Sequence, residues 1–292
     1  MLLVNFTTDD HPRLGVLDRN AGIVVDLSQA APALARDMLG FIALGDEGLT
    51  AARAALAGGA ARIPLGEVRL LAPIPRPARN ILCIGKNYRD HVNEVKSLPT
   101  GSGDVPAHPI VFTKAPSTVI GPGAPIPSYL DTSGTTDYEG ELGVIIGLGG
   151  RGIARADAMA HVYGYTVLND VTARGLQKRH VQWFLGKSID GFCPMGPAIL
   201  TADAVPDVRE LRVQTRVNGE LRQDGRVAEL IFDIPTLIET LSAGITLEPG
   251  DLIATGTPAG VGAGFTPPKF LVPGDRVAVS IEPIGTLENP VG

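Results

Sequence analysis

Apolar residues in this chain come in short runs punctuated by Gly, Pro and Asp, a pattern that predicts many brief strands and few helices. The first 27 residues already show it. Leu3–Phe6, Leu14–Leu17 and Ile23–Leu27 read as strands, with Asp18-Arg19-Asn20-Ala21-Gly22 as the hairpin turn. Residues 29–57 are Ala- and Leu-rich with helical spacing, and breaks are expected at Gly40 and Gly45. The Pro-rich stretch 72–79 is an inexpensive domain boundary. A small N-terminal α/β domain (1–71) followed by a larger domain (72–292) is therefore expected. Further strands are expected at 80–84 and near 111–113, 142–146, 163–168, 198–200, 211–217, 252–255 and 276–281. Pro-Gly-Asp precedes a strand at both 249–251 and 273–275 and reads as a turn. The polar, Pro- and Gly-rich segment 96–109 reads as a mobile lid.

Composition sharpens this into a β-rich α+β protein. Hydrophobic residues make up 44% of the 292 positions and charged residues 19%, which excludes a disordered chain. The 36 Gly and 24 Pro occur without low-complexity runs and fit many tight turns. A net charge of −6 argues against nucleic acid or an anionic membrane as partner. No apolar stretch approaches the roughly 20 residues of a membrane helix. The N-terminus lacks the basic start and long apolar core of a signal peptide. Two cysteines, Cys83 and Cys193, form no disulfide framework, fit a reducing cytoplasm and read as buried structural thiols.

The candidate chemistry centres on Asp137-Tyr-Glu-Gly-Glu141, which runs straight into an apolar strand. Alternation along a strand points Glu139 and Glu141 to one face. Two adjacent carboxylates at a half-buried strand need a cation, and a hard divalent ion favours oxygen ligands; on an exposed strand they would be two solvated glutamates. Asp170 ends the strand 163–169; it either caps the helix that follows or offers another oxygen to a metal. In that helix Arg174 and Gln177 share a face. His91 and Glu94 stand three apart, the spacing of a carboxylate-oriented imidazole base. Lys187 follows an aromatic run and could stabilise a developing oxyanion. The turn 254–260 presents backbone N–H groups and the hydroxyls of Thr255 and Thr257 to an anion. Gly147-x-Gly-x-x-Gly152 imitates a dinucleotide fingerprint. Its preceding strand carries paired glutamates, however, and the next helical signal starts too late to meet a pyrophosphate.

Six motifs in order carry a resemblance: Gly-x-Asn-Tyr-x-x-His-x-x-Glu (85–94), Phe-Thr-Lys (112–114), Asp-Tyr-Glu-Gly-Glu-Leu-Gly (137–143), Asn-Asp-Val-Thr-Ala-Arg (169–174), Gly-Lys-Ser-x-Asp-Gly-Phe (186–192) and Thr-Gly-Thr-Pro-Ala-Gly-Val-Gly (255–262). With the stretch to 289, the chain resembles the fumarylacetoacetate hydrolase family. The resemblance implies a mixed β-sandwich roll, a homodimer and one Mg2+ or Mn2+ per subunit. It implies Glu139, Glu141 and Asp170 as metal ligands, and His91, Glu94 and Lys187 as catalytic groups. Tyr88, Lys114, Arg174, Gln177 and Thr255 would contact the substrate. The expected reaction is hydrolysis of the C3–C4 bond of a small 2,4-dioxo acid, acylpyruvate or fumarylacetoacetate-like, releasing pyruvate or a related 2-oxo acid. The same groups would also serve oxaloacetate decarboxylation or tautomerisation, or isomerisation of 2-hydroxyhepta-2,4-diene-1,7-dioate.

Overall fold

A computed structural model describes residues 1–34, 37–94 and 105–292. Most of the 96–109 segment expected to be a lid therefore lies outside the described residues. The architecture is β-rich. A twelve-stranded mixed sheet runs in the order Arg62–Pro64, Ile23–Asp26, Arg13–Asp18, Leu2–Thr7, Cys193–Thr201, Val162–Asn169, Gly140–Ile146, Leu252–Ala254, Ile81–Gly85, Ile110–Lys114, with two short strands alongside. Neighbours are antiparallel except where Leu252–Ala254 meets Ile81–Gly85 and where Val119–Ile120 meets Cys193–Thr201. The N-terminal strands extend this sheet, with Leu2 opposite Leu200 and Leu3 opposite Ile199.

A second sheet of four strands, Glu220–Arg226, Arg212–Val217, Arg276–Ile281 and Gly285–Pro290, packs against the first. The alternating Val213, Thr215 and Val217, with Val277, Val279 and Ile281, supply its inward face. The valines and Ile281 join Leu142, Val144 and Val167 of the large sheet in one core cluster. Sheet-on-sheet packing of this kind buries both apolar faces, the main stabilising term of such a fold.

The expected helical region resolves into Met38–Ala43 and Gly45–Gly58. Gly45 marks the break as expected, but Gly40 lies inside the first helix, where its N–H bonds the capping carboxylate of Asp37 at 2.7 Å. The strand Glu220–Arg226 carries no apolar run and escapes sequence patterning. Cys83 and Cys193 are buried and unpaired, and burial pushes the Cys193 thiol up to about 12.

Candidate active site

The strand Gly140–Ile146 is buried along its whole length, and Glu139 and Glu141 project from its start to the same side. Gly140 makes this possible by facing the other way, onto the four-stranded sheet. A Cβ there would overlap Thr215 Oγ1 and lie 2.9 Å from Val279 Cγ1. The Glu-Gly-Glu spacing thus reflects two requirements on two faces of one strand. The neighbouring strand Val162–Asn169 pairs with it, Gly140 opposite Asn169. Asn169 Oδ1 accepts from Glu139 N at 3.0 Å, and Asp170 N donates to Glu139 O at 2.8 Å. Those bonds bring Asp170 beside the pair. Oxygens of Glu139, Glu141 and Asp170 lie within 4.8 Å of one another, and all three residues are buried.

Two lysines, Lys114 and Lys187, are among the largest fully buried side chains. Burying an ammonium group is tolerable only when it is paired. Lys187 Nζ donates to Glu139 Oε2 at 2.8 Å and Asp170 Oδ2 at 2.7 Å. Lys114 Nζ stands 2.7 Å from Asp170 Oδ1 and donates to Val171 O at 3.0 Å. Arg174 bridges Asp137 (Nε to Oδ2, 2.8 Å) and Glu139 (Nη1 to Oε1, 2.6 Å), and its Nη1 also reaches Gln177 Oε1 at 3.3 Å. The helix Arg174–Arg179 supplies both Arg174 and Gln177, as their spacing implies.

These ion pairs act unequally on the carboxylates. Burial alone would raise Glu139, but Lys187, Arg174 and His91 outweigh it and hold its carboxyl at about 2. Glu141 has a hydrogen bond from Gly256 N at 2.8 Å but no cationic partner among the described residues. Burial first, and then the charges of Asp170 and Glu139, push it well above the ordinary carboxylate range. An all-oxygen donor set with one uncompensated buried carboxylate fits a hard divalent cation, which would remove that penalty.

His91 sits in the helix Arg89–Glu94, with Nδ1 3.2 Å from Glu94 Oε2. The other Glu94 oxygen accepts from Gly260 N at 2.9 Å, so the carboxylate is fixed at both ends. With Glu94 accepting from Nδ1–H, Nε2 is left as the basic nitrogen. His91, Glu139, Glu141, Arg174, Gln177 and Lys187 all line one cleft.

Three expected substrate contacts fall elsewhere. Tyr88 is drawn into a backbone bridge with Leu230 and lines a separate pocket with Asp224 and Pro258. Lys114 lies behind the carboxylates, its ammonium consumed by Asp170 and Val171. The Thr255 hydroxyl donates to Leu142 O at 2.9 Å, which ties down the strand end; the cleft is lined by Thr257 instead. Sequence reading also missed the cleft wall of Ile84, Lys86, Phe112 and Trp183. Phe112 and Trp183 meet edge to face at 5.2 Å, and Lys187 Nζ lies 5.0 Å from the centre of the Phe112 ring. The aromatic run before Lys187 was the one available signal.

Known proteins share this fold. A family model described as "Fumarylacetoacetate (FAA) hydrolase C-terminal" matches residues 80–292. The chain belongs to the fumarylacetoacetate hydrolase family. It is 57% identical over 228 residues to "Oxaloacetate tautomerase YisK" of Bacillus subtilis, covering 78% of this chain and 74% of that protein. A structure of fumarylacetoacetate hydrolase from Exiguobacterium antarcticum superposes with a TM-score of 0.81 at 44% identity, covering 100% of this chain and 99% of that one. Maleylpyruvate hydrolase from Sphingobium sp. SYK-6, solved with manganese(II) and pyruvate, gives 0.80 at 36% identity, covering 100% and 98%. The β-rich mixed-sheet fold agrees with these relatives. No helix among the described residues is long and apolar enough to cross a membrane.

Proposed function

We propose that this chain catalyses proton transfer at the carbon beside the carbonyl of a small 2-oxo acid, with keto–enol tautomerisation of oxaloacetate as its reaction. The observation that carries this reading is that an oriented imidazole base and a buried carboxylate cluster line the same cleft. The 57% identity to an oxaloacetate tautomerase supports oxaloacetate as the substrate. Glu139, Glu141 and Asp170 would hold one Mg2+ or Mn2+, whose Lewis acidity polarises the 2-oxo group and acidifies the adjacent C–H. His91 takes that proton on Nε2 and returns it to the other tautomer's position, while Glu94 keeps the ring oriented and stabilises its charged form. Lys187 sets a fixed positive charge beside the reacting oxygens without any reorganisation. Arg174 anchors the carboxylate; its Nη2 is buried and has no hydrogen-bond partner among the described residues. A homodimer belongs to this reading.

Hydrolysis of the C3–C4 bond of a 2,4-dioxo acid is the second reading, favoured by the same dyad. His91 would deprotonate a water that adds to C4; C3–C4 then breaks and C3 takes up the proton, giving a carboxylic acid and pyruvate. Optical assays of oxaloacetate tautomer interconversion and of acetylpyruvate loss, each with Mg2+, separate the two. Tautomer interconversion without pyruvate release supports the first reading. Pyruvate and acetate released from acetylpyruvate, with no acceleration of tautomerisation, would overturn it in favour of hydrolysis.

A further inference from the structure

Lys86 is the residue of the cleft that the chemistry above leaves unused. Among the described residues it has no carboxylate partner, whereas Lys187, Lys114 and Arg174 are each paired with one or two. It lies at the cleft wall, half-buried, and burial lowers its ammonium pKa from the ordinary lysine value. Its backbone is left-handed, with φ 56°, a conformation that lysine adopts only when the surroundings impose it.

Those surroundings are visible on both sides. Before it, Gly85 is covered by the Trp183 ring, and a Cβ there would lie 2.5 Å from Trp183 Cζ3. After it, the side chain of Asn87 is locked by hydrogen bonds at both ends of its amide. Nδ2 donates to Thr255 O (2.8 Å) and Phe232 O (3.0 Å), and Oδ1 accepts from Phe232 N (2.8 Å). Ile231 N adds a bond to the Asn87 carbonyl at 2.8 Å. The turn therefore holds a strained lysine beside the cleft, and strain of this kind clusters at functional sites.

We propose that Lys86 binds the distal carboxylate of the substrate, so that the cleft selects four-carbon and similar dicarboxylic 2-oxo acids over monocarboxylic ones. The assignment rests on the small 2-oxo acid reading above and deepens it. One end of such a diacid meets Arg174 and the oxygen cluster. The other meets the ammonium of Lys86, a cleft-lining residue that, among the described residues, has no acidic partner. A charge-assisted pair in a partly desolvated cleft accounts for a preference of about tenfold or more.

The test uses unreactive ligands, so that it does not depend on turnover. Calorimetry with Mg2+-loaded protein compares malate with lactate, which carry the same 2-hydroxy acid head and differ by the distal carboxylate. Wild type should prefer malate by about tenfold or more. Lys86→Met should erase that preference with lactate binding unchanged, and Lys86→Arg should retain it. Lys86→Gly, which relieves the left-handed strain, should lose the preference without lowering Tm. A malate preference unchanged in both Lys86→Met and Lys86→Gly would overturn the assignment. If the preference behaves as expected while oxaloacetate is not tautomerised, Lys86 stands and the proposed reaction falls.

Discussion

Replacing Lys187 by Met removes an ammonium group that sits 2.8 Å from Glu139 and 2.7 Å from Asp170 in a fully buried site. Breaking a buried pair by deleting one partner costs about 3–5 kcal/mol, because the remaining charge is left unpaired. In the metal-free protein that cost has a ceiling. One carboxylate can take up a proton instead, which at pH 7 costs about 3.7 kcal/mol against an ordinary glutamate pKa of about 4.3. The expected loss is therefore about 3–4 kcal/mol. With an unfolding entropy of about 2.1 cal/mol/K per residue over 292 residues, Tm falls by about 5–7 °C. At pH 5.5 the ceiling drops to about 1.6 kcal/mol and the Tm deficit to about 3 °C. Adding Mn2+ should narrow the deficit, since the divalent charge replaces the lost one. The assay is thermal denaturation followed by circular dichroism in EDTA and in Mn2+, at both pH values. A deficit below about 1 °C at pH 7 in EDTA would refute the electrostatic account of the cluster.

Other consequences follow from individual contacts. His91→Asn should lower kcat by about 10²–10⁴-fold while leaving the Mn2+-dependent rise in Tm intact, as steady-state kinetics and thermal shift together would show. Gly140→Ala should destabilise by about 1–3 kcal/mol in denaturant unfolding, because its methyl group must displace Thr215 and Val279. The raised Glu141 gives a pH signature. Its proton is held in the folded protein after the unfolded chain has lost it. That contribution is full below the unfolded value and disappears as pH rises through the folded one. Metal must displace this proton, so the Mn2+-dependent gain in Tm should grow between pH 6 and pH 8; a gain that shrinks over that range would contradict the assignment of Glu141 as a ligand.

Much of the site was legible because it is local. Alternation in a strand places Glu139 and Glu141 on one face, and helical spacing pairs His91 with Glu94 and Arg174 with Gln177. Asp170 was ambiguous in isolation; register, with Gly140 opposite Asn169, sets it beside Glu139. What failed was the direction of side chains whose neighbours are distant in sequence. Thr255 and Thr257 lie in one turn, and both hydroxyls are taken up by backbone carbonyls, of Leu142 and Gly140, that only the fold brings near. Lys114, expected to contact the substrate, is buried by the fold behind Asp170. Tyr88 is held by a backbone bridge to Leu230, 142 positions further along the chain, and lines a separate pocket. The polar strand Glu220–Arg226 has no periodic apolar signal, yet its buried Gln223 accepts from Gly140 N at 3.0 Å and steadies from behind the strand that carries the glutamate pair.

The most direct test of the central claim is solvent-deuterium exchange at C3 of oxaloacetate, followed by NMR with Mg2+ and corrected for the rate with Mg2+ alone. Exchange should be accelerated by the wild-type protein, abolished by EDTA, and lost in Glu141→Gln and His91→Asn. Acceleration that survives EDTA or the Glu141→Gln substitution would contradict that claim.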